Sequence, residues 1–392
     1  MTNLVCFTQY VSDVLDNGGQ TDVIYIDLSK AFDTIDHNIL LKKLSFVGLS
    51  PGMVAFFRSY LSYRMLNVRY NSNLSLPYLQ SSGVPQGSNL GPLMFIVFIN
   101  DLSTAIQCDH QLYMDDLKIY KSINSLTDIE YLQTDLSNVA VWCKNNKLSI
   151  NNGKCAVVTY TKKKAPLSYV YCVAGEGLPR LQSIMDLGVT FDSRFSFVQH
   201  VENILNKANK SLGFIFRSCK NFQTVHPFKC VYNAYVRSAL EYCSIVWRPI
   251  YSCHIHAIES VQRRFIKYLV FKSTGCYPAH GYDYEALLNQ FDLITLEQRR
   301  ICLDLLFVYK VLHGHIDCSQ VLEQLHLRVP RPGMRQSRCF ALRMPNTNAY
   351  CGSPLYKACS TYNRLGDSLD IFAMGLSAFR REVAQLLSVG RH

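Results

Sequence analysis

The first third of the chain alternates short apolar runs with Gly, Pro and Asp punctuation. The remainder is dominated by apolar residues at helical spacing. Asp22-Val-Ile-Tyr-Ile-Asp-Leu28, bounded by Gly18-Gly19 and by Ser29-Lys30, predicts a strand that delivers Asp27 to its end. Ile35, Ile39, Leu40, Leu44 and Val47 then predict a helix over 34–47, stopped by Gly48. A second helix is expected from Phe56, running into a strand near Val68. Residues 83–91, rich in Gly, Pro, Ser and Asn, read as a loop feeding a helix over 92–106, with Pro92 at its opening, where proline sacrifices no hydrogen bond.

In 110–120, apolar residues flank Asp115 and Asp116, which predicts a tight hairpin with the two carboxylates at its tip. Ile129, Leu132, Leu136, Val139, Ala140 and Cys143 give an amphipathic helix, and Thr127 with Glu130 suggests its capping box. A strand over 155–160 comes next, with further strands at 168–173 and 187–191. Beyond these, helices are expected at 198–216, 227–245, 255–271, 296–312 and near 369–387, with a Pro/Gly/Arg-rich connector at 328–335. These boundaries suggest four regions: 1–160, 161–222, 223–327 and 328–392.

Composition narrows the class. The 392 residues include 48% hydrophobic and 12% aromatic side chains, which excludes a disordered or low-complexity chain. The longest apolar run, Leu93 to Ile99, is far short of the roughly 20 residues of a membrane span. The start carries no basic leader and acquires Asp13 and Asp16 early, so the expected location is intracellular, in cytoplasm and nucleus. Fifteen cysteines in irregular spacing, with no Cys-x-x-Cys, read as scattered thiols. The loose group Cys243, Cys253, His254 and His256 has poor spacing for zinc.

Charge is uneven. Residues 1–160 hold 11 Lys/Arg against 13 Asp/Glu, whereas 161–392 hold 29 against 16. A near-neutral first part joined to a strongly basic one suits an enzyme core with a surface that meets a polyanion.

Asp27, Asp115 and Asp116 carry the candidate chemistry. Strands of one sheet can bring a carboxylate at a strand end next to a pair on a hairpin, although 88 positions separate Asp27 from Asp115. Carboxylates so placed repel one another, and a divalent cation is the natural neutraliser. Hard oxygen donors favour Mg²⁺ or Mn²⁺. Asp33, Asp36 and Asp101 read instead as helix-start and packing residues.

Three segments resemble conserved blocks of reverse transcriptases. Tyr25-Ile-Asp-Leu-Ser-Lys-Ala-Phe-Asp-Thr-Ile-Asp-His37 is similar to motif A, Gly83-Val-Pro-Gln-Gly-Ser-Asn-Leu-Gly-Pro92 to motif B, and Tyr113-Met-Asp-Asp116 to motif C. Trp142 to Leu148 with Lys154 resembles motif D, and Asp186-Leu-Gly-Val189 resembles motif E. Tyr235 to Cys243 and Glu259 to Arg264 resemble the region downstream of these motifs in jockey- and CR1-like non-LTR (LINE-type) retrotransposons.

The resemblance implies an α+β fold: a right-hand polymerase palm with a ferredoxin-like βαββαβ core and incomplete fingers, then a helical thumb and a basic carboxy-terminal region. Only 26 residues precede Asp27 and none resembles the family's fingers segment, so the expectation is an amino-terminally truncated copy. The implied reaction is RNA-templated DNA synthesis from a primer 3′-OH. It would use two Mg²⁺ ions, deoxynucleoside triphosphates, an RNA template, a DNA primer and their RNA/DNA duplex. Alternatives are an inactive nucleic-acid-binding fragment and a group II intron maturase, the latter disfavoured by the downstream segments.

By the same resemblance, Asp27, Asp115 and Asp116 would bind metal, with Leu28 in the metal and substrate set. Phe32 would be a steric gate against a ribose 2′-OH. Gln86 would lie beside the nascent base pair, and Gly87 and Tyr113 would contact substrate. Lys154 would stand near the leaving pyrophosphate, and Gly83 and Gly87 would let backbone pass close to nucleic acid. Leu187-Gly188-Val189 would form a primer-supporting hairpin, and Lys207, Lys210, Arg217 and Lys220 would contact duplex phosphates.

Overall fold

The computed structural model describes residues 1–222, 224–329, 338–365 and 369–389. The chain divides into two compact units, one of residues 19–182 and one of residues 1–18 with 183–392. The expected boundary at 160 therefore moves. Arg180–Leu181 pairs in parallel with the strand at 156–161, and the Tyr171 hydroxyl donates to buried Asp22 at 3.0 Å, which holds 161–182 in the first unit. The opening helix Thr2–Asp16, not anticipated in the sequence, belongs with the second unit.

The first unit is built on a sheet of β1 (Gln20–Asp27), β2 (Asp109–Tyr113), β3 (Asp116–Ser122), β4 (Ala156–Thr161) and β5 (Arg180–Leu181). Its order is β5-β4-β1-β3-β2, with β1 antiparallel to both neighbours. Helical segments connect β1 to β2 and β3 to β4, which is the βαββαβ connectivity of a ferredoxin-like core. Val23, Ile24 and Ile26 of β1 are buried, and the Leu90–Ile99 helix buries Met94, Phe95, Phe98 and Ile99 with them. That helix opens at Leu90, two residues before Pro92, and passes into a 3₁₀ turn over Asn100–Ala105.

Several expected elements shift. The helix predicted over 34–47 is split. A short turn at Ala31–Thr34 gives way to His37–Phe46, whose N-cap is Asp36, accepting from the Ile39 amide at 3.0 Å. The capping box of Leu126–Asn145 is Ser125 with Asp128, two residues before the expected pair, because the Ser125 hydroxyl and Asp128 carboxylate satisfy each other's backbone amides. The strand expected at 168–173 is reduced to Cys172–Val173, paired with Glu176–Gly177.

Among the described residues, the second unit is helical apart from a hairpin, Ser183–Asp186 with Val189–Asp192, and an isolated bridge between Leu327 and Phe340. The hairpin's turn, Leu187-Gly188, has both residues in the left-handed region (φ 45° and 82°), as a two-residue hairpin loop requires. The helices Val198–Ser218, Ser252–Thr274 and Leu296–Leu312 form as expected. The predicted 227–245 helix is interrupted at Tyr242 and Cys243. Cys243 is left-handed, and the Trp247 indole donates to the Tyr242 carbonyl at 2.8 Å.

From Pro330 on, the expected connector lies outside the described residues. The segment beyond carries the expected last helix, as Leu376–Val389, and packs into the second unit: its Phe379 and Val383 are fully buried, and the Tyr309 hydroxyl donates to the Met374 carbonyl at 2.7 Å. Among the described residues, no helix is long and apolar enough to cross a membrane.

Candidate active site

Antiparallel pairing of β1 with β3 sets Asp27 directly opposite Asp116. Pairing of β2 with β3 sets Asp116 opposite Tyr113, so the connecting loop is Met114-Asp115, with Met114 left-handed at φ 55°. The tip of the hairpin is thus Met114-Asp115 rather than Asp115-Asp116, and Asp116 opens β3. A non-glycine residue held at positive φ in a two-residue loop fixes where Asp115 leaves the sheet.

The other edge of β1 is also organised. The Ser29 amide donates to the Ser149 carbonyl and the Asn151 amide to the Asp27 carbonyl, both at 2.8 Å, bracketing a bridge between Leu28 and Ile150. In antiparallel pairing this turns the Leu28 carbonyl away from Ile150, toward the β3 side where Asp115 and Asp116 lie. Asn151 then reaches the carboxylate itself: its Nδ2 donates to Oδ2 of Asp27 at 3.0 Å. The Lys154 Nζ stands 3.4 Å from the same oxygen, and its side chain remains largely exposed. Asn151 was missed in the sequence because nothing local connects it to a residue 124 positions earlier. Its place between Leu148 and Lys154 was the only pointer.

Phe32 lies flat on Phe95, ring centroids 4.2 Å apart and planes 17° from parallel. The loop that begins at Gly83 is tied to this segment: the Gly83 amide donates to the Ile35 carbonyl and the Val84 amide to the Phe32 carbonyl, each at 2.8 Å. Gly83 sits at φ 81°, and a Cβ there would meet the Asp33 carbonyl oxygen at 2.6 Å. The close approach that Gly83 makes in the structure is thus to the protein's own backbone. Gly87, also at φ 81°, faces open space. Gln86 donates from Nε2 to Asp33 Oδ1 at 2.8 Å, and Tyr113 is half exposed.

A profile of the family "Reverse transcriptase (RNA-dependent DNA polymerase)" matches residues 3–220. The chain belongs to the reverse transcriptase family. Among curated proteins, a probable RNA-directed DNA polymerase from transposon BS of Drosophila melanogaster is 26% identical over 66% of this chain and 30% of its own length. The probable RNA-directed DNA polymerase from transposon X-element of the same fly is 25% identical, over 64% of this chain and 28% of its own length. The RNA-directed DNA polymerase from its mobile element jockey is 28% identical, over 50% of this chain and 22% of its own length. This reverse transcriptase chain thus spans less than a third of the length of these relatives. Chains from telomerase structures of Candida albicans and Candida tropicalis align at TM-scores of 0.36 and 0.39 with 14% and 9% identity, values too low to bear on fold or function.

Reverse transcriptases use divalent metal. Among the described residues, no three His, Cys, Asp or Glu side chains already converge as a metal cluster. The donor chemistry nevertheless fits such an ion, with carboxylates on two paired strands, a third on the residue before Asp116, and a backbone carbonyl turned to the same side. Two downstream segments prove structural. Glu259 and Gln262 are buried in one network: Tyr284 donates to Glu259 Oε1 at 2.6 Å, the Leu296 amide to Oε2 at 2.9 Å, and Tyr232 to Gln262 Oε1 at 3.1 Å. Glu241 pairs with Arg299, and the Tyr242 hydroxyl donates to the Leu187 carbonyl at 3.0 Å, holding the 183–192 hairpin.

Proposed function

We propose that this chain is the polymerase part of a non-LTR retrotransposon protein, extending a DNA primer on an RNA template with deoxynucleoside triphosphates. The observation that carries the reading is the cross-strand pair Asp27 and Asp116 with Asp115 one residue away, at the end of a ferredoxin-like sheet in a reverse transcriptase family member.

Asp27, Asp115, Asp116 and the Leu28 carbonyl would hold the metal, with Mg²⁺ preferred and Mn²⁺ tolerated. Two such ions, when bound, lower the pKa of the primer 3′-OH and neutralise the triphosphate and departing pyrophosphate. Asn151 orients the Asp27 carboxylate, and Lys154 supplies a positive charge beside it for the pyrophosphate. Phe32, braced on Phe95, excludes a ribose 2′-OH, while Asp33 aims Gln86 and Tyr113 borders the substrate. The 183–192 hairpin supports the primer end. The basic helix Val198–Ser218, with Lys207, Lys210 and Arg217, and the nearby Lys220 contact duplex phosphates as a thumb.

Primer extension on poly(rA)/oligo(dT) with Mg²⁺ tests this. Extension by the chain that disappears in Asp27→Asn and Asp115→Asn supports it. Extension unchanged by either substitution, or none above the variants' background, contradicts it.

A further inference from the structure

From His37 to Asn100 the chain carries no Asp or Glu, yet it holds Lys42, Lys43, Arg58, Arg64 and Arg69. Within this stretch, residues 65–79 form an arm of two short ladders, Met65–Leu66 with Tyr78–Leu79 and Arg69–Tyr70 with Asn73–Leu74, joined by hydrogen bonds from Val68 and Asn67 to Ser75. The arm has no apolar interior. Tyr63 is 91% exposed and Tyr70 77%, and Leu74 and Leu76 are also open to solvent. On the helix Pro51–Leu61 leading into it, Phe56 stacks on Tyr60 with centroids 6.3 Å apart. The Arg64 guanidinium lies 5.5 Å from the Tyr60 ring, and its buried Nε has no hydrogen-bond partner. Two rings and a guanidinium thus succeed one another at i, i+4 and i+8, flanked by exposed Arg58 and Arg69.

We propose that residues 56–79 are a stacking platform for single-stranded nucleic acid. Ring and guanidinium faces are useful only to bases that are not stacked in a duplex, and each such contact is largely indifferent to sequence. The absence of carboxylates over 64 residues suits a phosphate backbone. An acid-free surface with exposed Arg on the arm is poorly suited to docking a second copy of itself. The platform is independent of the carboxylate site, so Asp27→Asn leaves it intact.

The test is fluorescence anisotropy of the full chain with a labelled single-stranded oligonucleotide, as RNA and as DNA, and with an RNA/DNA duplex. All substituted positions are exposed, and unchanged thermal melting confirms folding. Tyr63→Ala with Tyr70→Ala should weaken single-strand binding about tenfold or more, and leave duplex binding within twofold. Arg58→Gln with Arg69→Gln should reduce the single-strand salt slope by about 1.4, at about 0.7 per phosphate contact. Binding of both oligonucleotides indicates that bases and phosphates suffice, and binding of RNA alone adds contacts to the 2′-OH. Equal single-strand affinity in wild type and variants overturns the proposal. So does a concentration-dependent dimer abolished by the same substitutions, which would make the arm a self-association surface.

Discussion

Asp27 and Asp116 face each other across two paired strands, although 88 residues of helix, loop and hairpin lie between them. Two neighbouring carboxylates at the mouth of a sheet are electrostatically unfavourable unless a cation intervenes. The fold supplies one already in Lys154, 3.4 Å from Asp27, and a neutral donor in Asn151.

Asn151 is expected to act through Asp27. Asn151→Ala removes the side-chain donor, but the backbone bond from residue 151 to the Asp27 carbonyl does not require the side chain. Divalent-ion affinity should fall about tenfold, the scale of outer-shell partners. Mn²⁺ titration monitored by electron paramagnetic resonance checks this, with thermal melting expected to be nearly unchanged.

Phe32 makes a sharper claim about selectivity. With its ring braced on Phe95, Phe32→Val should raise ribonucleotide relative to deoxynucleotide incorporation, and Phe95→Ala should do so more weakly by freeing the ring. Single-nucleotide extension with paired rNTP and dNTP is the measurement. An unchanged ratio would leave Phe32 as a packing residue.

The second unit should be acid-sensitive through His200. Burial pushes its pKa down to about 4, and its Nδ1 accepts the Thr190 amide at 3.2 Å, which requires the neutral ring. Above about pH 6.5 both folded and unfolded forms are neutral and the stability is complete. As pH falls from 6.5 to 4 only the unfolded chain takes up the proton, so about 3 kcal/mol is lost. Urea unfolding monitored by the fluorescence of Trp247, whose ring lies 5.1 Å from His200, should show this fall between pH 7 and 4. A His200→Phe variant should show much less of it.

The core topology was legible through the resemblance of the three motif segments to reverse transcriptases, whereas the three carboxylates rest on local signals: an apolar run ending in Asp27, and a hairpin pattern around Asp115 and Asp116. What escaped was set by long-range partners. Asn151 matters only because the chain before β4 bridges Leu28, and Gly83 is needed because the Asp33 backbone fills its Cβ position. The opening helix carries an ordinary amphipathic pattern, and nothing in it announces that Asp16 would accept the amides of Asn346 and Thr347, 330 and 331 residues away. The cap falls at Ser125 rather than at the expected Thr127 because Ser125 and Asp128 satisfy each other's backbone amides two residues earlier.

Direct ion binding tests, without needing turnover, whether Asp27, Asp115 and Asp116 form one divalent-metal site. Mg²⁺ and Mn²⁺ titrations of the full chain should show saturable binding that weakens at least tenfold in Asp27→Asn and in Asp116→Asn, with the fold intact by circular dichroism. Ion affinity unaltered by both substitutions would contradict the account.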